Sequence, residues 1–300
     1  MKRKLVRQGS STLMISLPSK WVKSNNLDKG SEIDIDEKEN VLEISVERKE
    51  KKKELKINIQ GYSPTAIRSI LTNAYRLSYD KIIVEYSSEK ESESISQTLK
   101  RSLIGFEMVA KTEKYSVIEN ITEPSLVHSD VVFMRLLHNI KELLEATKRM
   151  MNTGKEHEYI KELEENIQRY DNFCRRSAIS DTLMTAFYKE VSQAQREIYL
   201  IAQYLNTEKT KVSKETQDLY DTSIYVFEKL REAYSKKDIS MLEEIHIIEK
   251  EIIYDKGYKL LKTKKGAENI IIFRTLTAIR MFYLSVSPLI GMILLSNGKQ

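Results

Sequence analysis

The sequence predicts a multidomain α+β protein: a small β unit over residues 1–47, a small α/β middle domain over 48–123 and an all-α half over 124–300. Three observations lead there. Short alternating runs separated by turn residues fill the first stretch, a βαβαββ rhythm fills the second, and apolar stripes at helical spacing fill the third. Gly and Pro are scarce, nine and four in 300 residues, so long uninterrupted helices dominate.

The first stretch alternates over residues 4–8, 13–17, 32–36 and 41–46, with turns at Gly9, at Lys29 and Gly30, and at residues 37–40. One short helix fits residues 18–25, with Pro18 at its start, where a missing N–H costs nothing. Four strands and one short helix in under fifty residues bury too little surface to stand alone. The unit therefore needs a second copy. A charge run over 48–54 marks its end.

Beyond that run, residues 55–59, 81–86, 106–110 and 115–121 read as strands, and 63–77 and 91–103 as helices. Ala66, Ile67, Ile70, Leu71, Ala74 and Leu77 share one helical face. Glu123 and Pro124 mark the next boundary. Stripes through Phe133 to Met151, Ile160 to Cys174 and Met184 to Leu205 follow. After the polar break 206–213, three more helical segments begin near Lys214, Ile239 and Gly266. Two triplets of helices predict a pair of three-helix bundles.

Composition excludes several classes. A single cysteine, Cys174, rules out a disulfide framework and fits a reducing, cytoplasmic setting. The first residues contain no apolar run of signal-peptide length. The apolar stretch Ile270 to Leu295 carries Arg274 and Arg280 and is broken by Pro288, so it reads as a core helix with no membrane insertion. Gly-rich phosphate loops, paired metal-binding histidines and nucleophile elbows are all missing, which argues against an enzyme. His128, His138, His157 and His246 share no metal-like spacing and read as helix-surface or interface residues. Cys174 reads as a core filler.

A net charge of +5 permits a nucleic-acid partner without demanding one. Its placement is more telling. Lys2, Arg3, Lys4 and Arg7 sit on or before the first strand, Lys20 and Lys23 on the short helix, whereas acids gather at Asp28 and over 32–39. A phosphate backbone selects such segregation, although a merely solvated basic terminus produces it too. Gly9, Ser10, Ser11 and Thr12 suit either a phosphate cradle or a hairpin turn.

Arg3, Arg7, Gln8 and Gly9, then Met14 to Trp21, resemble the start of the AbrB/MazE/SpoVT swapped-hairpin barrels. Leu27, Gly30, Ser31 and Ile33 are similar to that family's following turn and third strand. The resemblance covers about the first 47 residues. It implies a homodimer that exchanges hairpins into one barrel, and DNA contacts from Lys2, Arg3, Lys4, Arg7, Ser10, Ser11 and Lys20. It also implies that Trp21 plugs the barrel.

The helical half resembles the PhoU family by its two triplets of helices. That resemblance implies a divalent or ferric cation held in the helical domain by acids at i and i+4, here Glu251 and Asp255, although a solvated helix face explains this pair equally well. The equivalent helix of the first triplet has Gln168 where an acid would stand after Glu164. The last helices depart further, with Arg196 and Arg280 followed by Glu197 and Met281.

An AbrB-like head joined to a PhoU-like tail is similar to archaeal phosphate-uptake regulators. The combination implies a DNA-binding transcriptional regulator whose partners are DNA, a second copy, and a phosphate transporter or signalling protein. The alternative is an adaptor that docks a transporter or kinase component and uses the barrel only to dimerise.

Overall fold

A computed structural model describes residues 3–9, 12–38, 41–46, 53–122, 129–154, 159–208 and 210–297. They fall into two compact units, Met1–Lys53 and Glu54–Gln300.

In the first unit, β1 (Val6–Gln8) pairs antiparallel with β2 (Thr12–Met14), and Arg7 lies opposite Leu13. Gly9, at φ +75°, opens the turn between them in the left-handed region that glycine enters without steric penalty. A short helix, α1 (Ser19–Ser24), follows Pro18, whose carbonyl accepts the Val22 N–H at 3.0 Å. Then β3 (Asp34–Lys38) pairs antiparallel with β4 (Val41–Ser45). β1 and β2 are shorter than the alternation predicts, with residues 15–17 outside the ladder, and β3 runs two residues further than predicted, so Glu37 and Lys38 are paired strand residues rather than turn.

Among the described residues of this unit none is buried. Trp21 is half-buried, and Leu17, Val22, Leu27 and Ile33 line a shallow hollow with it nearby on α1. Leu5, Val6, Leu13, Ile15, Ile35 and Leu42 are all more than half exposed. These are large apolar side chains that this small unit by itself leaves in water.

The second unit opens with β5 (Glu54–Asn58), α2 (Pro64–Arg76), β6 (Lys81–Glu85), α3 (Glu89–Ser102), β7 (Phe106–Lys111) and β8 (Tyr115–Asn120). This is the βαβαββ order read from the sequence. The sheet runs β5-β6-β8-β7, with β5 and β6 parallel and the other pairs antiparallel. Its inner face meets α2 and α3: Ile67, Leu71 and Tyr75 pack with Ile82, Val84, Ile95 and Ile118. A bulge between Met108 and Ala110 turns Val109 outward.

Two residues before the start predicted at Glu91, α3 begins at Glu89, because Ser88 and Glu91 form a capping box. Buried Glu91 also accepts the Gly61 N–H at 2.6 Å, Ser87 N–H at 2.8 Å and Ser88 N–H at 3.0 Å. These donors, Ser87 foremost, hold its carboxyl below the usual range against the opposing effect of desolvation. A carboxyl with a lower pKa folded than unfolded adds stability above its unfolded pKa and loses it as pH falls. Urea midpoints should therefore drop on acidification more steeply for the wild type than for Glu91→Gln; parallel pH profiles would contradict this.

The helices follow: α4 (Ser129–Thr153), α5 (Ile160–Ser177), α6 (Thr182–Glu208) and α7 (Lys214–Lys236). The next segment is broken into a 3₁₀ turn (Ile239–Leu242), α8 (Glu243–Ile248), a widened π-helical stretch (Glu249–Gly257) and α9 (Tyr258–Thr263). The last segment is α10 (Ala267–Leu284) and α11 (Val286–Asn297). Pro288 accounts for that final break: it brings no N–H for the carbonyl four residues back and its ring crowds it.

The six helical segments begin close to their predicted starts; one large buried cluster draws on all six, and a smaller one joins Leu219 of α7, Ile253 of the π-helical stretch and Ile272, Leu276 and Ile279 of α10. Phe133 of α4 packs against Phe187 and Tyr188 of α6 and against Tyr234 of α7, at centroid distances of 5.9, 4.8 and 4.7 Å. Tyr220 of α7 donates to the Leu144 carbonyl at 3.0 Å. Residues 267–297 are long and apolar enough by composition to cross a membrane. Here Ile271, Ala278, Phe282, Val286, Leu289 and Ile293 belong to the core. Arg274 pairs with Glu197 at 2.8 Å, and Arg280 pairs with Glu249.

Candidate nucleic-acid interface

The basic residues singled out in the sequence sit at the start of the first unit. Arg3, Lys4 and Arg7 are exposed on the extended lead-in and on β1, and Lys20 is exposed on α1. Lys2, Ser10 and Ser11 lie outside the described residues. Lys23 stands in the last turn of α1, where a cation complements the helix dipole. The acids Asp28, Glu32 and Asp34 are exposed later in the chain.

Short strands and a tight Gly9 turn place Arg7 on β1, directly across from Leu13, so one face of the hairpin carries both a cation and an uncovered apolar side chain. On β3–β4 the apolar side chains are grouped: Ile35 lies opposite Ile44, and Leu42 shares their face by strand alternation. The exposed guanidinium and ammonium groups are free to meet phosphate oxygens without a desolvation penalty. Gly9, which follows β1, is the described part of the predicted Gly9–Thr12 turn that lies outside the strands, and Thr12 opens β2.

The other candidate positions lie in the second unit. Glu251 and Asp255 are exposed on the widened stretch, and Asp255 pairs with Lys259 at 2.6 Å. Among the described residues, no three His, Cys, Asp or Glu side chains come together as a metal site would require. In the first triplet, Glu164 is buried and its oxygens are taken by Gln168 at 2.7 Å, by Arg196 at 3.0 Å and by Gln195. Burial raises its carboxyl above the ordinary value, against the pull of those donors.

Cys174 is buried, and burial, with Asp171 nearby, pushes its thiol above the ordinary pKa, as suits a core residue. His246 packs edge-on against Tyr283 at 5.5 Å and His138 is exposed; His128 and His157 lie outside the described residues.

Sequence reasoning missed a polar cluster where α5 meets α2 and α3. Buried Asp171 takes Arg175 Nε at 2.9 Å and an Arg76 amine at 3.2 Å, while Asn172 binds Arg76 Nε at 2.8 Å and the Ser102 carbonyl at 3.0 Å. Arg176 reaches the Tyr75 and Tyr79 carbonyls and Asp80. These residues lock the α/β layer to the helices.

The first unit thus combines an exposed basic lead strand with apolar side chains that the unit itself leaves uncovered. Residues 6–54 match the family described as antidote-toxin recognition MazE, bacterial antitoxin. The match fits a DNA-binding or antitoxin-type regulator. No curated protein and no solved structure matches the chain.

Proposed function

We propose that this protein is a DNA-binding transcriptional regulator. Two copies exchange hairpins into one barrel, Arg3, Lys4 and Arg7 together with Lys2, Ser10, Ser11 and Lys20 meet the DNA backbone, and the helical half is a sensor or docking module. The observation that carries the reading is the conjunction, in one short unit of MazE type, of exposed lead-strand cations with apolar side chains that a single chain leaves in water. Backbone contacts supply affinity, and groove shape and deformability supply much of the selectivity.

A link to phosphate uptake and a cation at Glu251 and Asp255 are the parts of the proposal that rest on the PhoU-like order of helices alone. The protein acts by binding rather than by catalysis, in the cytoplasm. The adaptor reading shares the dimer but has the protein dock a phosphate transporter or kinase component, with no DNA affinity.

Binding of labelled genomic-fragment DNA across a salt series tests the proposal, comparing the wild type with Arg3→Ala/Arg7→Ala. Each phosphate contact contributes a slope of about 0.9 in log affinity against log salt. A dimer losing four such side chains should show a slope shallower by about 3 to 4. A folded wild-type dimer that binds no DNA at low salt would sink the regulator reading in favour of the adaptor.

A further inference from the structure

A cavity of about 310 Å³ opens between the α/β layer and the helices of the second unit, walled by α2 and α3 on one side and α5 and α6 on the other. Its size is at the lower end of small-molecule sites and too small for a strand of nucleic acid. Four cations line it, Arg68, Arg101, Lys161 and Arg196, against two acids, Glu164 and Glu165.

The acids are already committed. Glu165 faces Arg101 at 3.5 Å, and Glu164 is held by Arg196, Gln168 and Gln195. Arg68 and Lys161 have no ion-pair partner among the described residues, which leaves two positive charges facing one cavity. Their positions add to the effect. Pro64 and Thr65, also on the wall, form the first turn of α2, and Lys161 belongs to the first turn of α5. The α2 start is capped by Ser63, whose hydroxyl accepts the Ala66 N–H, so what the two helix starts add to this space is the positive end of each dipole.

We infer that this cavity binds a small phosphate monoester, with Arg68 and Lys161 holding the phosphate dianion between the two helix starts. An ionised monoester carries close to two negative charges near neutral pH, which matches the two uncommitted cations. The rest of the wall is polar without being charged: Gln97 and Gln203 offer amides, and Tyr199 an aromatic face flanked by Arg196 at 5.3 Å. Such groups suit the hydroxyls of a sugar. Buried Glu164 fixes Arg196 in place and serves as a positioning residue.

The site gives the proposed sensor a ligand class and rests on that reading only for its regulatory meaning. Ligand binding is measured without DNA, so failure here and failure of the DNA proposal are separate results.

Isothermal titration of the full chain with glucose 6-phosphate, adenosine monophosphate, inorganic phosphate, glucose and adenosine tests the inference. At least one of the two esters should bind saturably. Inorganic phosphate should bind at least tenfold more weakly than that ester, and glucose and adenosine should not bind. Arg68→Gln/Lys161→Gln removes exposed side chains outside the core, so it should keep the wild-type melting curve while weakening the ester at least tenfold. The inference is overturned by the absence of saturable binding for both esters, by equal affinity for inorganic phosphate or for the uncharged probes, or by ester binding unchanged in a folded double variant.

Discussion

Arg176→Met should destabilise the Glu54–Gln300 unit by about 3 to 5 kcal/mol, the range for removing one partner of a buried, hydrogen-bonded ion pair. Only 7 % of the Arg176 side chain is exposed. Its guanidinium donates to the Tyr75 and Tyr79 carbonyls at 2.9 and 3.1 Å and to Asp80 at 2.7 Å. The Tyr75 carbonyl lies in the last turn of α2, so Arg176 also acts as a C-terminal cap contributed by a distant helix. The rings of Tyr75 and Phe106 lie 5.2 and 5.1 Å from the charge. Methionine fills comparable space but donates nothing, so those oxygens lose a donor inside the seam. Guanidinium unfolding of the variant should show the midpoint shift, and Arg176→Lys should recover part of it, since lysine keeps the charge but not the planar fork. Arg101→Met, at the exposed Arg101–Glu165 pair, should cost about 0.5 kcal/mol or less. Equal effects at the two positions would refute the distinction between a buried lock and a solvated pair.

How far the sequence could anticipate this depends on the range of the interactions involved. The helix starts at Lys214, Ile239 and Ala267 follow local signals, namely polar breaks and glycine, and were readable to within a residue. The βαβαββ order was readable for the same reason: strand and helix periods differ within a single window. The shared helical core was not, because nothing near Phe133 announces that its ring meets Tyr234 about a hundred positions away. Arg175 and Arg176 look in sequence like an ordinary basic last turn of a helix. Being neighbours, they point to different faces, one back to Asp171 on its own helix and the other into α2. The cavity was hidden likewise, since Arg68 and Lys161 line the same space only when the two layers close. In the first unit, the exposed basic lead strand was legible; the number of paired residues was not, because pairing depends on register rather than on alternation.

Ile35→Asp/Leu42→Asp should convert the full-length protein from dimer to monomer at micromolar concentration. The two side chains are 57 % and 63 % exposed in a single copy and share a face with Ile44 across the β3–β4 ladder. Fully covering a side chain of this size is worth about 1.5 to 3 kcal/mol, and with roughly six-tenths of each still to cover, the four in two copies contribute about 4 to 7 kcal/mol gross. Set against the loss of translational and rotational freedom on association, that is the difference between a dimer that persists at micromolar concentration and one that does not. Aspartate adds the desolvation of a charge to the loss. Sedimentation velocity should show the shift while helical circular dichroism stays nearly unchanged, because every described helix except the short α1 belongs to the other compact unit. A variant that remains dimeric would place the interface on the helical unit instead. DNA affinity provides the second readout. Each copy carries only a few lead-strand cations, and affinity grows with the number of phosphates met at once. Dissociating the dimer halves that number without touching a basic residue, so the monomer should show both weak binding and a salt slope about half that of the wild type.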